Sequence, residues 1–401
     1  MARIALVLVA ALGAGAALAD DRIALDALVD LRAVHTDSAP SFVYGGLGTV
    51  RFDDDHEGVR VGRASLAARI QIAATLTGTV VADAYDDGEQ NAVGVSEAFV
   101  AWRPFPRSAL RWQVKAGAFF LPVSLEHRLI GWSSPYTLSA SAINTWIGEE
   151  FRVLGTEVEA RWLGAPSGYQ GDIGLVAGVF GWDEGAGVVI AERGWALTDR
   201  PSLLFGHVGR NPADLYYEVD GRPGAYVGVS WHHHEALEVR ALSYDNRADP
   251  AAQNLGGYQA WRTRFTAVGA RWEPLEHFAF LAQHLEGSTA IGPDGTQAQF
   301  VQQYGAWYAL ASGEWGRNRV SVRYDRFTTE QVNGFYGGPL ANEHGHAATA
   351  AWMYRLSDQW QLAAEWLRVV SDYPPRAELG AAPAETDTQV QLAVRYRLRI
   401  D

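Results

Sequence analysis

The 401-residue chain has no cysteine, two methionines and a single lysine, Lys115. Without cysteine it can form neither disulfides nor thiolate metal sites, so an exported chain of this size must be held together by other means. Basic residues are outnumbered, 33 Lys and Arg against 46 Asp and Glu, and the formal charge of -13 excludes a nucleic-acid partner. Beyond the N-terminus there is no apolar run long enough to cross a bilayer, which excludes a helical membrane protein. No Gly-x-Ser-x-Gly elbow or phosphate-cradling loop is present, and the sequence calls for no cofactor. The N-terminus itself reads as a secretory signal over residues 1–19. Arg3 precedes an apolar stretch from Ile4, and Ala17-Leu18-Ala19 forms a small-x-small cleavage site before Asp20.

What the chain does have is 42 Gly, 15 Trp, 16 Tyr and 15 Phe, with a mean hydropathy of -0.10. Such a near-neutral average arises when alternate residues face lipid and water. The stretch RWQVKAGAFF, Arg111 to Phe120, shows the alternation. The same period predicts strands near 22–35, 59–71, 75–85, 93–103, 109–120, 150–162, 170–182 and 223–233. It predicts eight more near 237–246, 262–273, 277–288, 299–312, 318–328, 346–356, 360–371 and 387–400. Tight turns, such as Pro104 to Arg107 and Ser357 to Gln359, alternate with long loops. The expected fold is therefore all-β: a transmembrane antiparallel β-barrel of about sixteen strands, with short periplasmic turns and long extracellular loops. A soluble β-sandwich also alternates, but it does not account for Trp and Tyr near so many strand ends. Aromatic girdles do, through Trp102, Trp112, Trp162, Trp182, Trp272, Trp352 and Trp366.

The alternation assigns faces. Trp112, Val114, Leu392 and Val394 meet lipid, whereas Arg111, Lys115, Arg319, Arg323, Arg395, Arg397 and Arg399 line a wet lumen, because a cation on the lipid face costs about 2 to 4 kcal/mol. A lumen of sixteen strands is too wide for side chains to fill, so its selectivity needs a loop folded inward. The third long loop, residues 121–149, is the candidate. It contains a possible helical turn at Ser139 to Thr145 and is flanked by Glu126, His127 and Arg128 on one side and Glu149, Glu150 and Arg152 on the other. The expected pore-lining set is Arg111, Lys115, Glu126, Arg128, Arg152, Arg319, Arg323, Arg395 and Arg397. These cations form a basic wall, or a balanced transverse field if Glu97, Glu157, Glu159 and Asp325 pair with them.

The run EAFVAWRPFPRSALRWQVKAGAFFLPVSLEHRL, with Gly-x-Phe-x-x-Pro-x-Ser-Leu-Glu at Gly117 to Glu126, resembles the phosphate-selective porin O and P family of outer-membrane porins. The paired segments VRVGRASLAARIQ and TLTGTVVADAYDD look like an early hairpin of that family, and the likeness spans roughly residues 55 to 165. The resemblance implies a homotrimeric sixteen-stranded porin whose third loop narrows the pore, with phosphate among its solutes. Two features depart from the family. Lysine is nearly absent, and the last strand ends in Ile400 and Asp401 rather than an aromatic residue, leaving Tyr396 and Leu398 for assembly.

The expected function is passive diffusion of small hydrophilic solutes, with selective anion passage and weakly selective diffusion both open. Expected partners are outer-membrane lipid, lipopolysaccharide and further copies of the chain. A plugged structural or adhesive barrel is one alternative. A lipid hydrolase using His284 and Ser288 is another, but it lacks a third partner. Consecutive His232, His233 and His234 point to opposite strand faces and so do not converge on a metal; His344 and His346, and the acidic Asp53 to His56, are read as solvated loop-edge groups.

Overall fold

The computed structural model describes residues 22–86, 92–206, 215–234, 236–296, 299–333 and 340–400. The predicted signal segment, 1–19, lies outside the described residues. The described residues form sixteen strands, as the alternation implies. The first eight are β1 (Ile23–Thr36), β2 (Gly58–Ala73), β3 (Leu76–Ala84), β4 (Val93–Trp102), β5 (Leu110–Phe120), β6 (Arg152–Trp162), β7 (Gly171–Gly181) and β8 (Gly224–His233). The second eight are β9 (Leu237–Asp245), β10 (Arg262–Leu275), β11 (Phe278–Ile291), β12 (Phe300–Trp315), β13 (Asn318–Asn333), β14 (Glu343–Arg355), β15 (Trp360–Asp372) and β16 (Ala384–Ile400). Each pairs antiparallel with its sequence neighbours, and β1 closes on β16 from Leu25 opposite Ile400 to Thr36 opposite Gln389. Closure leaves no edge strand, so every backbone donor within the wall has a partner even in hydrocarbon. No helix among the described residues is long and apolar enough to cross a membrane.

The outer skin carries the apolar half of the alternation. Leu175, Val179, Val227, Val322 and Leu392 are 52 to 58% exposed on it, an arrangement that water penalises and lipid does not. This closed, apolar-skinned cylinder indicates a bacterial outer membrane. Both ends of the barrel chain fall on the short-turn, periplasmic side. Inward, aromatic rings lie flat over glycines: a Cβ at Gly345 would collide with the Phe327 ring, and one at Gly178 with Tyr226.

Two of the long connections that turn into the barrel carry α-helices, and the β1 to β2 connection adds Val50 and Arg51, both buried inside. The β5 to β6 connection carries helix α1 (Ala142–Glu150), and the β7 to β8 connection carries helix α2 (Val188–Arg193). The hydrophobic core therefore sits inside the barrel. Trp146 of α1 is fully buried, its ring centroid 4.7 Å from Tyr304 and Phe151 and 5.8 Å from Phe265 and Trp195. A buried ring of this size removes roughly 150 to 250 Å² from water, about 4 to 6 kcal/mol. The inner faces of β9 to β12 supply the other side of this cluster through Tyr244, Phe265, Leu285 and Tyr304.

Candidate functional site

The third long loop enters the lumen and is fastened there by side chains. Ser141 caps α1, its hydroxyl accepting from the Asn144 amide at 3.3 Å. The helix thus begins three residues after the predicted turn at Ser139 and runs on to Glu150, because the capping serine is the later one. Glu126 gathers the Ser141 amide and hydroxyl at 2.8 and 2.7 Å and the Asn144 side-chain amide at 2.9 Å. Burial alone would raise its pKa, but the nearby Arg323 guanidinium, His127 and these donors hold the Glu126 carboxyl below its ordinary value. Burial also pushes the neighbouring His127 down to about 4, keeping it neutral.

Arg323 on β13 ties this node to the wall. Its Nε lies 2.8 Å from Asp325 and its Nη1 3.4 Å from Glu126, and it donates to the carbonyls of Ser139 and Ala140, each at 2.8 Å. Glu365 on β15 accepts from the Ser139 amide at 3.0 Å. On the far side, Arg63 of β2 donates to the Gly131 carbonyl.

The second inward connection was not anticipated from the sequence. It is zipped to the first: Arg193 pairs with Glu149 at 2.7 Å, and Glu150 accepts from the amides of Gly187 and Val189 at 3.0 and 2.9 Å at the start of α2. Its Asp199 meets Arg32 of β1 at 2.6 Å and Arg51 at 3.1 Å, while the Asp199 carbonyl accepts from Arg63. Burial alone would raise the Asp199 pKa, but Arg32, Arg51 and Arg63 outweigh it and hold this carboxyl well below the usual range. The run DEGAGVVIAERGWALTDRP, residues 183–201, is too apolar for a solvated loop, and that was the available signal.

Glu150 makes this junction sensitive to pH. Burial pushes its pKa up from 4.5 to about 7 against the pull of its donors. A folded pKa above the unfolded one means that the stabilising contribution is complete below about 4.5 and is lost as pH rises through about 7. Replacing Glu150 with Gln is therefore expected to flatten the pH dependence of stability between those values in denaturant titrations. A wild-type curve already flat there would contradict it.

The nine predicted pore-lining residues fall in four places. Glu126, Arg152 and Arg323 are buried in the loop-to-wall contact and do not line open water. Arg152 lies 3.5 Å from the Phe120 ring centroid and donates to the Ser202 carbonyl at 2.5 Å. Arg111 and Lys115 lie on β5, where Arg111 donates to the Ser108 carbonyl and Lys115 pairs with Glu157 at 2.8 Å. Arg128 is half-exposed and 3.7 Å from Glu273. The structure does bring Arg319, Arg395 and Arg397 together. With Arg317 and Arg355 they line a cavity of about 220 Å³ in the periplasmic half of the lumen, roofed by Leu129 and Pro135 of the third loop.

These guanidiniums are largely balanced. Arg319 and Arg355 face Glu314, Arg397 lies 3.0 Å from Asp26, and Arg395 lies 3.0 Å from Asp30. Arg317 is exposed, donates to the Leu356 carbonyl at 3.2 Å and has no carboxylate partner among the described residues. The predicted basic wall is thus a paired field with a small cationic excess at the periplasmic mouth.

The remaining constellations resolve without chemistry. His284 and Ser288 share the outer face of β11 four residues apart, about 13 Å, too far for a base to take the serine proton. Three carboxylates that the sequence did not single out, Glu184, Glu218 and Asp220, lie within 4.8 Å of one another. Burial and the two neighbouring acids push Glu184 up to about 9, so a retained proton relieves their repulsion.

No protein-family model and no curated protein matches the chain. Solved structures do. The outer membrane channel DcaP of Acinetobacter baumannii superposes with a TM-score of 0.58 at 12% identity, covering 94% of this chain and 97% of that one. The fold is that of the outer-membrane porins. The anion-selective porin from Comamonas acidovorans matches with a TM-score of 0.53 at 13% identity, over 94% of this chain and 99% of that one. The trimer form of OmpT, an outer membrane protein of Vibrio cholerae, gives 0.53 at 12% identity, over 94% and 100%. At these identities the barrel is shared, while the lumen side chains described above belong to this chain.

Proposed function

We propose that the chain is an exported outer-membrane channel for the passive diffusion of small hydrophilic solutes. The observation that carries this reading is a charged periplasmic vestibule beneath loops folded into a closed barrel. The inward loops set the constriction, and the cationic excess around Arg317 and Arg355 draws anions toward it. The resemblance of residues 55 to 165 to the phosphate-selective porin O and P family extends the candidate solutes to phosphate. The trimeric OmpT neighbour supports assembly as a homotrimer. No step of this function calls on a catalytic residue.

A second reading has a specific observation in its favour. Arg32, Arg51, Arg63 and Arg323 sit at mid-lumen and are only 1 to 2% exposed, so the network around them is dry and the conformation described is narrow there. A plugged barrel would look the same. Conductance in planar bilayers separates the two, since the channel passes steady current and a plug passes none. Given current, replacing Arg317 and Arg355 together with Gln is expected to shift the reversal potential toward cations under a salt gradient. An unchanged potential would remove the periplasmic mouth from the selectivity region.

A further inference from the structure

The cavity at the periplasmic mouth is apolar above and cationic below. Its roof is the tip of the third loop, where Leu129 and Pro135 are half-buried, with Leu28 of β1 and Met353 of β14 behind them. The roof keeps its backbone to itself: the Leu129 amide donates to the Ser133 carbonyl at 3.1 Å, and Pro135 has no amide hydrogen. A polar solute leaving water for this surface finds no donor on it. The tip is held in place, since the Gly131 carbonyl accepts from Arg63 and the Trp132 indole donates to the Asn144 carbonyl at 2.8 Å. At the rim, the Arg355 amide donates to the Arg317 carbonyl at 2.8 Å, so the two side chains leave from neighbouring strand ends. Glu314 is shared between Arg319 and Arg355 and lies 3.9 Å from the latter. Asp26 and Asp30 answer Arg397 and Arg395, and Asp358 stands at the rim without an ion pair among the described residues. Set against the guanidiniums of Arg317, Arg319, Arg355, Arg395 and Arg397, these carboxylates leave a single positive charge.

We propose that this vestibule binds a monocarboxylate with an apolar body, its carboxylate on the Arg317 and Arg355 forks and its hydrocarbon under Leu129 and Pro135. A guanidinium fork matches a carboxylate through two parallel hydrogen bonds. A monoanion neutralises the vestibule, whereas phosphate brings further charge and no apolar surface. The size fits as well: about 220 Å³ is room for about seven waters at about 30 Å³ each, or a carboxylate of about six carbons. Replacing those waters under the roof by hydrocarbon is favourable, because the roof gives them no hydrogen bonds. The proposal rests on the channel reading for its role and names the solute class within it, but the binding itself requires no current.

The test uses the full chain in lipid nanodiscs, titrated with acetate, butyrate, hexanoate, hexanamide and inorganic phosphate and read by ligand-observed NMR, with empty nanodiscs subtracted. Wild-type affinity is expected to rise about threefold per methylene from acetate to hexanoate. Hexanamide, which has the body without the charge, and phosphate, which has charge without the body, are each expected to bind about tenfold more weakly than hexanoate. Leu129→Ser is expected to flatten the chain-length series. Arg317→Gln with Arg355→Gln is expected to weaken all three acids alike, by about tenfold, and to leave the series its slope. Heat-modifiable gel migration checks that both variants are folded. Equal wild-type affinity for acetate and hexanoate overturns the proposal, as does a slope that survives in Leu129→Ser or hexanamide bound as tightly as hexanoate. Planar-bilayer current is a separate readout. A protein that binds the series but passes no current keeps this site and loses the channel reading, whereas current without a chain-length slope does the reverse.

Discussion

Replacing Asp199 with Asn is expected to release the second inward loop from the wall and raise single-channel conductance several-fold. The Asp199 carboxylate is the shared counter-charge of Arg32 and Arg51, and all three are buried. Removing one member of a buried ion pair typically costs about 3 to 5 kcal/mol, because the remaining charges stay out of water without compensation. The strand ladders do not depend on this carboxylate, so the loss falls on the loop. Cleavage by trypsin at Arg193, buried in the wild type and followed by Gly194, should become rapid in the variant while the barrel keeps its heat-modifiable migration. Acid does not reproduce the effect. A depressed carboxyl pKa means that the tether's contribution is present above the ordinary value of 3.8 and is lost only as pH falls through the lower folded value. Mild acidification therefore leaves this latch closed while stabilising the Glu150 junction, and the two contacts are separable by pH. Wild-type conductance together with wild-type protease protection in Asp199→Asn would show that the loop is held by its aromatic packing alone.

The barrel was legible because lipid and water enforce a strict two-residue period on each strand. Val390, Leu392 and Val394 alternate with Gln389, Gln391, Ala393 and Arg395, a small alanine being the one inward residue of this run that is not polar. Legibility failed where both faces are polar. The sequence reading ended β13 near residue 328 and began β14 near 346, whereas the strands extend to Asn333 and back to Glu343. In those extensions Thr329 faces in and Glu330 faces out, so alternation of position no longer shows as alternation of hydropathy. At the candidate site, the residue types on each inner face were readable from the period, but their pairing was not. Arg395 and Asp30 are 365 positions apart, and Arg323 and Glu126 are 197 apart, so neither pairing leaves a local pattern. For that reason the expected basic wall becomes a largely balanced one once the barrel closes and β1 comes to lie against β16. The third loop was recognisable by its position and composition, but the second needed its apolar run at residues 183–201 to be weighed against the expectation that outer loops are solvated.

Arg323 is where the loop and the wall depend most on one side chain. Methionine in its place fills similar volume but leaves Glu126 and Asp325 buried without a counter-charge and the Ser139 and Ala140 carbonyls without their donor. The expected loss is about 3 to 5 kcal/mol in denaturant titrations, accompanied by greater conductance as the loop leaves β13. Lysine restores the charge but not the fork, since one ammonium cannot span Asp325 on one side and two loop carbonyls on the other, so Arg323→Lys should recover only a minor part. A double-mutant cycle with Glu126→Gln isolates the pair from the rest of the network. Removing the carboxylate's charge should relieve part of the Arg323→Met penalty, with a coupling of about 0.5 to 3 kcal/mol. Strict additivity would mean that Arg323 acts through Asp325 and the carbonyls alone, and that Glu126 serves only to organise the start of α1.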